Sequence, residues 1–280
     1  MKKLIFIFSL VLFLSCNYKE EVSVMYFAPS WTSDNKIVFV EIYWYQKYRE
    51  GPIGTDLVEN REIGYLWEVD TNQNYSGRIA KLWDSGYNLA LTNTTSALDW
   101  VAFSILGVDG EYEIWVIRRD GRGLRRLTKG NWPDFSPDAK KIVFKRDDGL
   151  YIINIDGTGE HRILSGVNIG APVWSGDGEK IAFNSDSFLI IIDTNGTVLH
   201  SFIRIMGGID WGPPDSNALC GTKNFVGRIL YYKTGLVDTL PFNSGGGLKW
   251  SPSGNLFLGY DRRGWFIINR KGENKKYIKP

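Results

Sequence analysis

An aromatic residue returns along this chain at a nearly fixed interval, each time followed by the same kind of turn. The anchors are Trp31, Phe135, Trp174, Trp211 and Trp250, and the last four are separated by 39, 37 and 39 residues (174 − 135, 211 − 174, 250 − 211). Between the first two lies a gap of 104 residues (135 − 31), room for one more copy and an insertion. That copy is read at 92–128, with Thr94 in the anchor position and Trp100 in the second strand. A period near forty residues marks a repeat architecture, in which each unit buries its apolar face only against its neighbours.

Each copy reads as four short strands. In the fourth copy the first strand ends at Trp174, and Ser175-Gly176-Asp177-Gly178 makes a turn. The runs "KIAF" (180–183) and "FLIIID" (188–193) follow, then Asn195-Gly196 leads into the last strand. Asn-Gly and Asp-Gly supply the positive φ angles of tight hairpins. Six four-stranded antiparallel units repeated radially make an all-β, six-bladed β-propeller. The blades are expected at about 25–86, 87–130, 131–166, 167–205, 206–243 and 244–280. The fifth copy departs most, with Gly212-Pro213-Pro214-Asp215 at its turn. The chain starts on a first strand and ends near a fourth, so the ring is expected to close without a borrowed strand, although 22–26 offers one.

The recurring pattern resembles the TolB-like propeller repeat, a relative of the WD-type repeat. It is carried by Ser136-Pro137-Asp138 with Ile142 and Phe144, by Trp174 with Ile181 and Phe183, by Asp120-Gly121 with Leu127-Thr128, and by Trp250-Ser251-Pro252. The resemblance covers nearly all of the chain after its leader and implies protein contacts in a bacterial periplasm; a shared fold does not itself fix a function.

The leader is "MKKLIFIFSLVLFLSC". Lys2 and Lys3 form a basic start, and the apolar run 4–14 is too short to span a bilayer as a helix. This is the layout of a secretory signal peptide, 1–15. Phe13-Leu14-Ser15-Cys16 resembles a bacterial lipobox, which implies cleavage before Cys16 and lipidation there. A short tether, 16–24, would then join a lipid anchor to a propeller at 25–280. Asn17 after the cysteine resembles the pattern of lipoproteins sorted to the outer membrane, and Lys19-Glu20-Glu21 resembles short surface-export signals. The address expected is the bacterial envelope, on the periplasmic side or at the cell surface.

The formal net charge is +2, and removing Lys2 and Lys3 leaves the mature chain near neutral. Nucleic-acid binding demands a clear basic excess, so no nucleic-acid partner is expected. Cys220 is the only other cysteine, in the apolar run "NALCGT", and reads as a small buried hydrophobe.

In a propeller the first strand of each blade lines the channel and the fourth is the outer edge. Charges there guard against strand pairing, which accounts for Arg125-Arg126, His161-Arg162 and Lys275-Lys276. The periodic aromatics are read as packing between blades before any binding role. The informative departure lies in the first copy. Between its second and third strands runs "EIYWYQKYREGPIGTDLVENREIGY" (41–65), where the other copies have a few residues. It carries Tyr43, Trp44, Tyr45, Lys47, Tyr48 and Arg49, residue types that dominate interfaces, and is the candidate binding loop. The other reading is a long hairpin whose rings pack on the propeller. The glycine clusters 206–208 and 244–247 fall at blade connections on the same face, as tight reversals or as room for a ligand.

Catalytic constellations are not found: the sequence holds no G-x-S-x-G, no H-E-x-x-H and no D-x-D-x-D-G calcium loop. His161 and His200 are read as surface residues of adjacent outer strands, and Asp34, Asp138, Asp177 and Asp215 as turn formers. Asp99, Asp134 and Asp210 are the nearest channel carboxylates. No metal, cofactor or catalytic residue is assigned. The expectation is a non-enzymatic binding scaffold for another envelope protein or an envelope polymer. The alternatives are an enzyme acting on a glycan or peptide at the channel mouth, and a ring that pairs with its own copy.

Overall fold

The computed structural model describes residues 18–278 except 52–53, 72–75, 86–90 and 167. The leader and Cys16 lie outside the described residues. Six four-stranded antiparallel sheets follow one another, each with its strands in chain order. Blade 1 is β1 (Tyr18–Trp31), β2 (Lys36–Gly51), β3 (Gly54–Asp70) and β4 (Ser76–Ser85). Blade 2 is β5 (Leu91–Ala97), β6 (Trp100–Leu106), β7 (Tyr112–Arg118) and β8 (Arg125–Lys129). Blade 3 is β9 (Asn131–Phe135), β10 (Lys141–Arg146), β11 (Gly149–Asn154) and β12 (His161–Ser165). Blade 4 is β13 (Val173–Trp174), β14 (Lys180–Asn184), β15 (Phe188–Asp193) and β16 (Val198–Ile203). Blade 5 is β17 (Gly207–Trp211), β18 (Ala218–Lys223), β19 (Val226–Tyr231) and β20 (Leu236–Asn243). Blade 6 is β21 (Lys249–Trp250), β22 (Leu256–Asp261), β23 (Gly264–Asn269) and β24 (Lys276–Tyr277).

The turn after each anchor explains the repeat in physical terms. Ser136 Oγ accepts the Lys141 N–H at 2.9 Å and donates to Asp138 Oδ1 at 2.7 Å. Ser175 repeats this with the Lys180 N–H and Asp177, at 2.9 and 2.6 Å. Serine thus closes the turn and aspartate holds serine, so both recur at fixed offsets. One position in the turn is left-handed: Gly178 (φ 78°) and Gly254 (φ 76°), with Asn35 (φ 60°) and Ala139 (φ 55°) in blades 1 and 3. The fifth turn instead forms a short 3-10 segment, Pro214–Ser216, which ends at left-handed Asn217.

The apolar core is divided among the blade interfaces. Six clusters of buried side chains each combine two adjacent blades. All five aromatic anchors sit in them as interblade packing. The last cluster joins Trp31, Ile37, Phe39 and Val69 of blade 1 to Leu258 and Ile267 of blade 6, closing the ring. Trp31 Nε1 also donates to the Lys249 carbonyl at 3.2 Å. Among the described residues blade 6 takes no strand from elsewhere in the chain, and side-chain packing joins it to blade 1.

The anchor of blade 2 differs from the sequence expectation. Trp31 pairs with Ile37 and Phe135 with Ile142, whereas in blade 2 the equivalent fully buried Val101 pairs with Ser96. The anchor place is therefore Ser96, not Thr94. The tight turn at Leu98–Asp99 replaces the longer Ser-Pro-Asp turn and shifts the register. Residues 18–24, expected in a tether, belong to β1.

Candidate functional site

The described residues of the segment 41–65 form strands, not a loop. They are the upper half of two strands, β2 of 16 residues and β3 of 17, where β10 and β11 of blade 3 have 6 each. β1 pairs along it up to Tyr18↔Arg49, and β4 flanks its lower part up to Glu62↔Ser85. The result is a twisted tongue of sheet that continues blade 1 beyond the propeller. It rises from the face that carries the blade connections, because the hairpin between second and third strands lies there. A bulge at Phe27/Ser30, with Ala28 at φ 47°, marks where β1 leaves the ring.

Strand alternation splits the six candidate residues between two faces. On one face the cross-strand rows are Tyr26–Glu41–Tyr65, Val24–Tyr43–Ile63, Val22–Tyr45–Arg61 and Glu20–Lys47–Glu59. Trp44 and Tyr48 point to the other face. Trp44 packs with Phe27, Ile42, Leu66 and Trp83 against blade 2. Trp44 and Trp83 both donate their indole N–H to Glu62, at 2.6 and 3.0 Å. Trp44 is therefore structural, as is Gly64, where a Cβ would meet the Trp83 ring at 2.4 Å. Tyr48 O–H donates to Gln46 at 2.9 Å, and Arg49 pairs with Asp56 at 3.2 Å near the tip.

The first face is open. It holds a cleft of about 470 Å³ lined by residues of all four strands, among them Tyr43, Tyr45, Arg61, Tyr65 and Arg78. At its base Glu41 is nearly buried, 3% exposed. Glu41 Oε2 accepts the Trp67 indole N–H at 2.7 Å and the Arg78 guanidinium at 3.2 Å. The same guanidinium lies 3.7 Å from the Tyr65 ring centroid and 5.8 Å from that of Tyr43. The phenol of Tyr45 is pushed up to about 12 by burial and by its hydrogen bond to Glu20. Lys47 pairs with Glu20 at 3.3 Å and lies over the Tyr18 ring. Above the bulge the free edge of β1 has no partner strand among the described residues, and Tyr18, Val22, Val24, Met25 and Tyr26 are exposed along it. Glu41, Tyr65, Trp67 and Arg78 are not legible as one group in the sequence, because they come from three strands.

The channel holds the second set of ionisable groups. Asp134 and Asp210 each precede an anchor on a first strand, and Lys249 holds the same place in blade 6. Asp134 accepts the Thr95 hydroxyl and the Trp174 N–H, both at 2.6 Å; Asp210 accepts the Trp250 N–H at 2.9 Å. Each carboxylate thus stitches its blade to the next. Burial raises both above the ordinary carboxyl range, Asp210 to about 7, and the charge of Lys249 works against this. Asp99 does not join them. It lies exposed in the β5–β6 turn, 3.8 Å from Arg118.

The remaining candidates lie apart. His161 stands on β12 against the Gly159 carbonyl, and His200 on β16 stacks with Phe202 and meets Tyr232 edge-on. Among the described residues no group of three or more His, Cys, Asp or Glu side chains gathers as a metal site. Cys220 is fully buried, which raises its thiol. The glycine clusters serve close approach: a Cβ on Gly208, at φ 55°, would stand 2.3 Å from the Gly247 Cα of the next blade. The charged outer-edge pairs are met locally, Arg126 by Glu113, Arg162 by Asp148 and Lys275 by Asp261.

Fold and site together define a closed six-bladed β-propeller with a projecting sheet on its first blade. No family model matches the chain, and no curated protein matches it. Solved structures do share its fold. A putative TolB from Agrobacterium tumefaciens is 18% identical with a TM-score of 0.56, over 95% of this chain and 100% of that one. Oligogalacturonate lyase from Vibrio parahaemolyticus is 9% identical with a TM-score of 0.54, over 91% and 96%. An acylaminoacyl peptidase from Pyrococcus horikoshii is 17% identical with a TM-score of 0.50, over 68% of this chain, which spans only 39% of that enzyme. At these identities the likeness is one of fold.

Proposed function

We propose that the protein is a lipid-anchored bacterial envelope protein, held at the outer membrane through Cys16, whose propeller is a scaffold that binds another envelope protein. The observation that carries this reading is the open face of the tongue. Tyr43, Tyr45 and Tyr65 with Arg78 surround a cleft beside a strand edge that is unpaired among the described residues. Rigid aromatics and arginine are the residues on which interfaces concentrate their energy, and a free edge offers main-chain pairing to an extended partner. The fold of TolB agrees with such a role. The test is a photo-crosslinking amino acid at Tyr45 in intact host cells. A discrete protein adduct, lost when Tyr43 and Tyr65 are both changed to Ala, supports the scaffold. Unmodified protein at every expression level overturns it.

A second reading is favoured by Asp210, whose carboxyl is raised to about 7 beside Asp134 and Lys249 in the channel. A carboxyl poised near neutral pH is suited to general acid–base work. The protein would then be an enzyme acting on a glycan or a peptide, the substrate classes in the names of two proteins of similar fold. Turnover of oligogalacturonates or acylated peptides, abolished by Asp210→Asn, would establish it over the scaffold.

A further inference from the structure

We infer that the tip of the tongue is the membrane-facing end of the molecule. The propeller is thereby held off the bilayer, with its blade-connection face turned towards the lipid. The inference deepens the lipid-anchor reading and rests on it.

Its basis is the register of β1. Tyr18 pairs with Arg49, next to the hairpin end at Gly51↔Gly54. The chain thus enters the fold at the far tip of the tongue, not at the ring. Cys16 stands two residues before Tyr18, and two residues reach at most about 7 Å in any conformation. A lipid on Cys16 therefore holds the tip at the bilayer surface. β2 exceeds β10 by ten residues (16 − 6). At about 3.3 Å per residue the tongue is a spacer of roughly 30 Å.

The chemistry of the tip fits this contact. Leu57, Val58 and Tyr18 are exposed there, at 51%, 46% and 47%. The basic groups beside them are each met by an acid, Lys19 by Glu21, Lys47 by Glu20 and Arg49 by Asp56, and the exposed Glu50 and Glu59 add further negative charge. Matched charges give little attraction to anionic headgroups, which takes unpaired basic clusters. The tip would add apolar contact that is indifferent to headgroup charge, as a second, weaker hold beside the acyl chains. The open face and the cleft then lie in the gap between membrane and propeller, and a partner would have to reach them there.

The experiment uses lipidated, full-length mature protein in phosphatidylcholine vesicles, with and without phosphatidylglycerol. Single cysteines carrying a bimane label are placed at Val58, at Tyr65 partway down the tongue, and at Asp177 on the opposite face of the ring. Cys16 is acylated and Cys220 is buried, so neither competes for the label. Brominated lipids then quench by proximity. Mass spectrometry of Cys16 and vesicle flotation first establish the anchor. If the protein made in its own host carries no acyl group on Cys16 and does not float, the anchor reading itself is refuted. For a protein that is lipidated and floats, the expected result is quenching at Val58 at least fivefold above Asp177, with Tyr65 between. Val58→Cys quenched no more than Asp177→Cys overturns the orientation. Quenching at Val58 that requires phosphatidylglycerol overturns the apolar contact. Acid-free, salt-independent flotation weakened by Leu57→Ser and Val58→Ser in a singly acylated form supports it.

Discussion

Arg78 on β4 lays its guanidinium 3.7 Å from the ring centroid of Tyr65 on β3, while the same group bonds the nearly buried Glu41 on β2. One side chain thus ties three strands together at the base of the open face. Removing it by Arg78→Ala leaves Glu41 buried with the Trp67 indole and the Tyr43 hydroxyl beside it. The guanidinium is partly exposed, so the cost falls below that of a fully buried pair, at about 1–3 kcal/mol. Urea denaturation is the check, and Glu41→Gln in the same background should recover part of the loss.

Gly64 has a Trp83 ring lying where its side chain would be. Gly64→Val should expel that ring and break its bond to Glu62, at about 1–3 kcal/mol, the usual cost of overpacking. The damage should be confined to the tongue. Limited proteolysis is expected to cut within 41–65 while the ring stays protected, and cutting throughout the ring would contradict this.

Trp31 is the aromatic at the seam between first and last blades. Trp31→Ala removes a buried ring and its bond to the Lys249 carbonyl, at about 3–5 kcal/mol. Hydrogen exchange should then accelerate in blades 1 and 6 before blade 3, because no strand bridges the seam among the described residues. Uniform acceleration would mean that the ring unfolds as one unit.

Asp210 makes stability depend on pH in a predictable direction. Its folded carboxyl is raised to about 7, against about 4 in an unfolded chain. Between these values the unfolded state releases a proton that the folded state keeps, so stability falls as pH rises from about 4 through about 7. From pH 5 to 8 the loss from this one group is about 2–3 kcal/mol. Asp210→Asn keeps an acceptor for the Trp250 N–H and should flatten that slope, as read from urea midpoints at both pH values.

Blades were legible in the sequence because the turn chemistry repeats. Ser136 and Ser175 with their aspartates make the same bonds at the same offsets. Blade 2 was misread where that chemistry is replaced: the short turn at Leu98–Asp99 carries no such signature, and the anchor fell on Thr94 instead of Ser96. The tongue was legible as an insertion but not as sheet. Tyr43-Trp44-Tyr45 is aromatic at three successive positions, so the period-two pattern that announces a strand is hidden. Nor does sequence separate Tyr43 and Tyr45, which face the cleft, from Trp44, which is packed away. Arg78 was out of reach, since its partners lie 11 to 37 residues away along the chain (78 − 67, 78 − 41) and only strand pairing gathers them. Asp134 and Asp210 were placed correctly in the channel because they precede anchors, a position the repeat defines.

The register between β1 and β2 also has a mechanical side. A pull on the start of β1 from the tip, resisted by the body of the ring, would slide β1 along β2 rather than peel it away. The bonds between the two strands run across that direction and extend from Tyr18↔Arg49 to Trp31↔Ile37. Load would therefore fall on the whole ladder at once, so the attachment is built as a shear joint and would resist tension far better than a hairpin opened from its end.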